Sequence, residues 1–132
     1  LISLADLATP HIAGYSVDGK ANATVNSVRK VAAALNIPLN DWLPGMLPEP
    51  AEPLIDLRRH EARNSSPDLA AMAVKHTYPI EEDDHIFRSN PEKFESLRNN
   101  YHTRREFGSF SVRVNDPEAT RILSDLGFHV IK

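Results

Sequence analysis

The sequence predicts an α+β protein, and three observations carry that prediction. Short segments rich in β-branched and aromatic residues are spaced through residues 54–132. Helix starts of one common type lie between them. A proline-rich stretch separates this region from one long amphipathic helix nearer the start of the chain.

Taken in order, Leu1 to Ala8 reads as a strand, and "TPHIAGYS" (9–16) as the turn after it. Asp18 to Leu35 reads as a helix, because Ala21, Val25, Val28, Ala32 and Leu35 recur in alternating steps of four and three and so share one face. Asp18 or Ser16 can cap it. The apolar face has no evident partner elsewhere in the sequence. The segment "NIPLNDWLPGMLPEPAEP" holds five of the chain's ten prolines. Proline removes a backbone donor and forces the preceding residue into an extended conformation, so a linker or surface strap is expected there, anchored by Trp42.

Beyond it, "LIDLRR" (54–59) reads as a strand. The helix starts follow as "SPD" at Ser66, "NPE" at Asn90 and "DPE" at Asp116, each a capping residue, a proline and an acid that favours the positive end of the helix dipole. The first helix carries Leu69, Met72 and Ala73 on one side, the second Phe94, Leu97 and Tyr101, the third Ala119, Ile122, Leu123 and Leu126, with Gly127 as its stop. "SFSVRV" alternates apolar and polar residues as a half-buried strand does, and "FHVIK" closes the chain as another. The expected order is strand, helices, strand, helix, strand.

Composition narrows the function classes. The chain has 132 residues, 41% of them hydrophobic and 25% charged, as a globular protein has. No apolar run approaches the ~20 residues that a membrane span requires. The absence of cysteine excludes disulfides and thiolate metal sites, which fits a cytoplasmic setting. A net charge of −3 offers no electrostatic reason to expect nucleic acid. The chain opens on Leu1, inside an expected strand, and reads as a piece of a longer protein.

Three groups of residues suit chemistry. None of the six histidines pairs with another at a zinc-binding spacing, and "EEDDH" (81–85) lacks the alternation and turn glycine of a calcium loop, so a solvated acidic loop is expected and no metal site. Arg104 and Arg105 form the densest basic patch; guanidinium forks suit carboxylate or phosphate, but structural pairing at a helix end is the simpler reading. His11 stands after Thr-Pro at an expected strand end, with Gly14 close behind. Imidazole titrates near neutrality and suits proton transfer to or from a hydroxyl, and glycine lets backbone approach a flat ligand. Spacing alone favours a plain turn histidine over a catalytic one.

A resemblance bears on that choice. "TPHIAGYSVDGKA" (9–21) resembles the catalytic-histidine segment of the D-2-hydroxyacid dehydrogenases, which share roughly "PH-x-x-G-x-T/S". Tyr15 followed by "DGKA" is the signature of one branch. In that branch "LPGMLPEP" resembles a proline-rich crossover, and "EKFESLRNNYHTRREFGSFSV" and "LGF" resemble parts of a C-terminal dimerisation domain. The branch commonly has "KARGT" where this chain has "KANAT" (20–24).

The resemblance implies that residues 1–37 are the tail of a Rossmann-type catalytic half, 38–53 a linker and 54–132 the dimerisation domain. It implies NAD as cofactor, a small phosphorylated 2-hydroxy acid as substrate and a homodimer through residues 54–132, with no nucleic-acid or membrane partner. His11 would be the general acid/base, Gly14 a backbone position beside the cofactor, and Tyr15 a substrate contact near the phosphate end. The carboxylate that orients the family's histidine and the arginine that binds the substrate carboxylate are expected upstream of Leu1, so the 132-residue chain alone is expected to be inactive. The alternative from another class is an autonomous dimerisation or ligand-sensing module without catalysis.

Overall fold

The computed structural model describes residues 2–102 and 104–131. Helix α1 spans Val17–Leu35, and after it residues 37–53 form neither helix nor strand. There follow β1 (Leu54–Asp56), α2 (Ser66–Thr77), α3 (Ile80–Ser89), α4 (Phe94–Asn99), β2 (Ser111–Arg113), α5 (Pro117–Asp125) and β3 (His129–Ile131). The α+β class and the order of elements after the linker match the sequence expectation.

The three strands pair in parallel in the order β1-β2-β3, with Ile55, Val112 and Val130 level across the sheet. Side chains alternate between the faces of a strand. One face therefore presents Ile55, Leu57, Phe110, Val112, Val114, Phe128 and Val130, and α2 and α5 pack on it through Leu69, Ala70, Ala73, Ala119 and Leu123. Val112, Ala73, Ala119 and Leu123 are wholly inaccessible. The opposite face carries Leu54, Asp56, Ser111, Arg113, His129 and Ile131, and none of these is buried. Parallel sheets are ordinarily covered on both sides, so this one is half-dressed.

Local chemistry explains the helix ends. Ser65 accepts from the Asp68 backbone N–H while the Asp68 carboxylate accepts from the Ser65 backbone, a reciprocal capping box. The cap of α2 is thus Ser65 and not Ser66, which takes the first helical position. Asp116 caps α5 by accepting from Ala119 N–H at 2.6 Å, as expected. Asn90 makes no side-chain cap: residues 91–93 wind as a 3₁₀ turn before α4 begins. Asn36 ends α1 in the left-handed conformation, where its N–H reaches the carbonyls of Ala32 and Ala33.

Four further expectations are corrected. Among the described residues of the Leu1–Ala8 segment there is no strand: Ile2–Leu4 forms a 3₁₀ turn, and Leu1 lies outside the described residues, as do Thr103 of "YHTRREF" and Lys132 of "FHVIK". A strand needs a neighbour to pair with, and here the polar backbone turns to α3 instead. Arg88 donates to the carbonyls of Ile2 and Ala5, and Asp84 accepts from Ala8 N–H. The acidic run at 81–85 is not a loop but the first turns of α3, where carboxylates favour the positive end of the helix dipole. Trp42 is half-buried and lies outside the main core. Leu126 falls at the end of α5 and is exposed, not on its packed face.

Helix α1 buries only Val25 and Ala32 of its expected apolar face, and Leu35 stays 64% exposed. Val28, Val31, Ala32, Ile37 and Leu39 line an apolar groove of about 340 Å³ beside it.

Leu123→Ala removes a side chain fully enclosed between α5 and the sheet. The expected cost is about 2–5 kcal/mol of unfolding free energy, read as a lower urea midpoint at unchanged slope.

Candidate functional site

The histidine turn is built by anchoring its flanks. Pro10 and Ile12 are both buried, Ile12 to 1% exposure, while His11 between them is exposed. His11 takes a φ of +59°, and its N–H donates to the Thr9 carbonyl at 2.8 Å. The left-handed conformation costs a residue with a Cβ roughly 1–2 kcal/mol. It is held here because the side chains on either side point inward and the imidazole is turned out.

Tyr15 N–H donates to the Ile12 carbonyl at 2.9 Å and closes the turn. Gly14, at a φ of +72°, has open space where a Cβ would stand. Its carbonyl presses on the first turn of α1: a Cβ on Gly19 would lie 2.7 Å from the Gly14 oxygen. The glycine of "DGKA" is therefore required by a close backbone approach. Ser16, with no exposed surface, caps α1 by accepting from Gly19 N–H at 2.9 Å.

Tyr15 is half-buried beneath cations. The Lys20 ammonium stands 3.9 Å from the ring centroid and the Arg98 guanidinium 5.6 Å, both suited to the negative face of the ring. Tyr101 meets Tyr15 edge-on at 6.4 Å and donates its hydroxyl to Asp83 Oδ2 at 2.7 Å. Burial, then that hydrogen bond and the Asp83 charge, push the Tyr101 phenol well above its usual range. Pro10, Asp83, Tyr101 and His102 help line a hollow of about 270 Å³ next to the histidine turn.

The far side of the turn is tied to the C-terminal region. Arg105 donates through Nε and Nη2 to the two oxygens of Asp18, at 2.9 and 3.0 Å, and Asp18 also accepts from Glu106 N–H at 2.8 Å. Burial works to raise the Asp18 pKa, but the Arg105 and Glu106 hydrogen bonds and the Arg105 charge outweigh it and hold the carboxyl below its usual range. Arg104 lies over the Tyr78 ring at 4.3 Å. Arg105 is thus structurally paired, but not at the helix end expected, since α4 stops at Asn99; its partner lies 87 positions away, where no local pattern announces it.

His11, Gly14 and Tyr15 share one turn, as their spacing requires. The sequence singles out Arg105 only as part of a basic patch, and it gives Lys20, Arg98 and Asp18 no part in the site. Lys20 lay within the quoted motif; Arg98 and Arg105 lay in the run that resembles the dimerisation domain. His76 lines a second cleft of about 640 Å³ with Arg104, Arg105 and the linker, and His102 borders both that cleft and the hollow beside the histidine turn. Among the described residues no group of three or more His, Asp or Glu side chains is placed to hold a metal ion, and no helix is long and apolar enough to cross a membrane.

Residues 46–127 match a family described as a domain of unknown function, DUF3410. The chain is also similar to curated proteins over nearly all of its length. It is 34% identical over 132 residues to the erythronate-4-phosphate dehydrogenase of Shewanella baltica. It is 35% identical over 133 residues to the protein of that name from Edwardsiella ictaluri. Each alignment covers 97% of this chain and 34% of the relative, so the chain spans about a third of the length of the curated relatives it matches.

Gly19→Ala drives a methyl group into the Gly14 carbonyl, which is backbone and cannot swing aside. Despite the higher helix propensity of alanine, worth about 1 kcal/mol in a helix interior, the variant is expected to be less stable than wild type. Amide exchange should accelerate at Tyr15 and Gly19, whose N–H groups close the turn and the cap. Slower exchange there with a higher melting temperature would refute the close approach.

Proposed function

The chain belongs to the DUF3410 family, and on that premise we propose that it is the C-terminal part of an NAD-dependent erythronate-4-phosphate dehydrogenase. The intact enzyme would oxidise 4-phosphoerythronate to its 2-oxo acid in pyridoxal 5'-phosphate biosynthesis. In this reading residues 1–37 are the tail of the catalytic half, 38–53 the linker and 54–132 the dimerisation domain. The observation that carries it is the histidine turn, where an exposed imidazole stands between two buried neighbours and next to an open glycine.

Each residue has a role that its surroundings suit. His11 takes the proton of the substrate hydroxyl as the carbon beneath it is oxidised. Gly14 leaves its backbone open to a flat ring, since nothing lies within 4 Å of where its Cβ would be, and so fits the nicotinamide side. Bound NAD would accept the hydride released from the substrate carbon. Tyr15 contacts the phosphate end, and Lys20 and Arg98, the two cations over its ring, supply positive charge where a phosphate would lie.

In the full-length enzyme, His11→Asn is expected to lower turnover by about 10²–10⁴-fold while NAD still binds. Steady-state rates beside NAD titration by fluorescence check this. Activity within about tenfold of wild type would remove His11 from the chemistry.

The homodimer through residues 54–132 does not draw on a surplus of exposed aromatic residues. Phe87, Phe110 and Phe128 are core residues, and Phe107 stacks on Phe128 at 4.6 Å, so the aromatics are largely consumed inside the fold. The second face of the parallel sheet supports the dimer instead: on it Leu54 and His129 are exposed and Ile131 is half-buried, with no second helical layer among the described residues. A second copy related by a two-fold axis would cover that face with its own. Sedimentation equilibrium is expected to give a dimer at tens of micromolar, with an unfolding midpoint that rises with protein concentration. A monomer with a concentration-independent midpoint would overturn it.

A further inference from the structure

One guanidinium joins three separate parts of the chain. Arg105 follows α4 in the C-terminal region, yet its Nε and Nη2 hold Asp18 in the first turn of α1, and its remaining amino group, Nη1, donates to the carbonyl of Pro48 in the linker. Beside it, Val17 N–H donates to the Arg104 carbonyl at 2.9 Å and Glu106 N–H to Asp18. The Arg105 and Asp18 side chains are 11% and 19% exposed, against 62% and 56% for the surface pair Arg121–Glu118. Ion pairs on the surface contribute little, whereas removing one partner of a largely buried pair strands the other.

From Asp18 the path to the histidine turn is short and rigid. Ser16 is enclosed and caps the same helical turn, Gly19 abuts the Gly14 carbonyl, and Tyr15 N–H is bonded to Ile12, next to His11. We infer that Arg105 is a positioning residue: by holding Asp18 it sets the first turn of α1, and through that turn the placement of the His11 imidazole. The C-terminal region thereby completes a catalytic site with a residue that need not touch substrate. This rests on the reading of His11 as the acid/base. A lysine cannot replace the device, because one ammonium does not reproduce a planar fork with a third donor left for Pro48.

The test uses the full-length enzyme with Arg105→Ala, Arg105→Lys, Asp18→Asn and the double variant Asp18→Asn/Arg105→Ala. Arg121→Ala, which breaks only two exposed ion pairs on α5, with Glu118 and Asp125, is the control. A misplacement of about 1 Å at a catalytic group can cost up to about 10²-fold in rate. Arg105→Ala and Asp18→Asn are each expected to lower kcat by about tenfold or more, with NAD affinity within about twofold of wild type. The double variant is expected to be no slower than the worse single, and Arg105→Lys to recover only part of the loss. The pH profile of kcat/KM should move in the Arg105 variants and stay put in Arg121→Ala.

Wild-type kcat in Arg105→Ala and Asp18→Asn, at intact melting temperature, overturns the inference. If Arg105→Ala fails to fold, Asp18→Asn and Arg105→Lys decide it by the same criteria. His11→Asn measured alongside separates the two levels. Its retaining activity overturns the reading of His11, whereas its inactivity with fully active Arg105 variants overturns the positioning role alone.

Discussion

The carboxylate of Asp18 is the interaction on which the arrangement of the site depends. It takes two guanidinium hydrogen bonds and one backbone hydrogen bond from residues 105 and 106, and it does so from the first turn of a helix that buries little else. A helix whose apolar face is mostly exposed gains little orientation from packing. With Val25 and Ala32 as its only buried side chains, α1 must take its direction from polar ties. A planar fork on a carboxylate has the required geometry, since it restricts angle as well as distance.

The same carboxylate makes the tie sensitive to acid. Its pKa is depressed in the folded state, so its contribution is present above the ordinary carboxylate range and fades as pH falls through the lower folded value. Asp56, held down to about 2 first by its hydrogen bond to Arg58, titrates in the same direction, but it is an exposed pair and carries no comparable structural weight. Burial and connectivity, not the size of a shift, decide which carboxylate matters.

What could be read from the residues follows the range of the forces involved. Asp116 and the strands around Ile55, Val112 and Val130 were legible because a cap and an alternating pattern are local signals. The cap of α2 is displaced by one residue because Ser65 and Ser66 are both eligible, and only the reciprocal bond to Asp68 chooses between them. Helix α3 was hidden by its charge, although Glu81, Glu82 and Asp83 in a first turn are what a helix dipole favours. The expected strand at the start failed because pairing is not a property of one segment. Within the site, the turn from His11 to Tyr15 is contiguous and visible as a motif, whereas Asp18 and Arg105 meet only in three dimensions.

The parallel sheet also sets how much chain each pairing must close. β2, α5 and β3 follow one another closely, and Phe128 N–H already bonds to the Leu123 carbonyl within that unit. Pairing of β1 with β2 must instead close a loop that contains α2, α3 and α4. The entropy lost in closing a loop grows with its length, and distant contacts reward the chain only after that loss. By loop closure alone the β2-α5-β3 unit therefore loses less entropy in forming than the pairing of β1 does. Arg105 lies just ahead of β2, and its partner Asp18 is 87 positions away, so their pairing closes a longer loop than any within that unit. The histidine turn, joined to that region only through contacts distant in sequence, takes its shape at the cost of the longest loop closure.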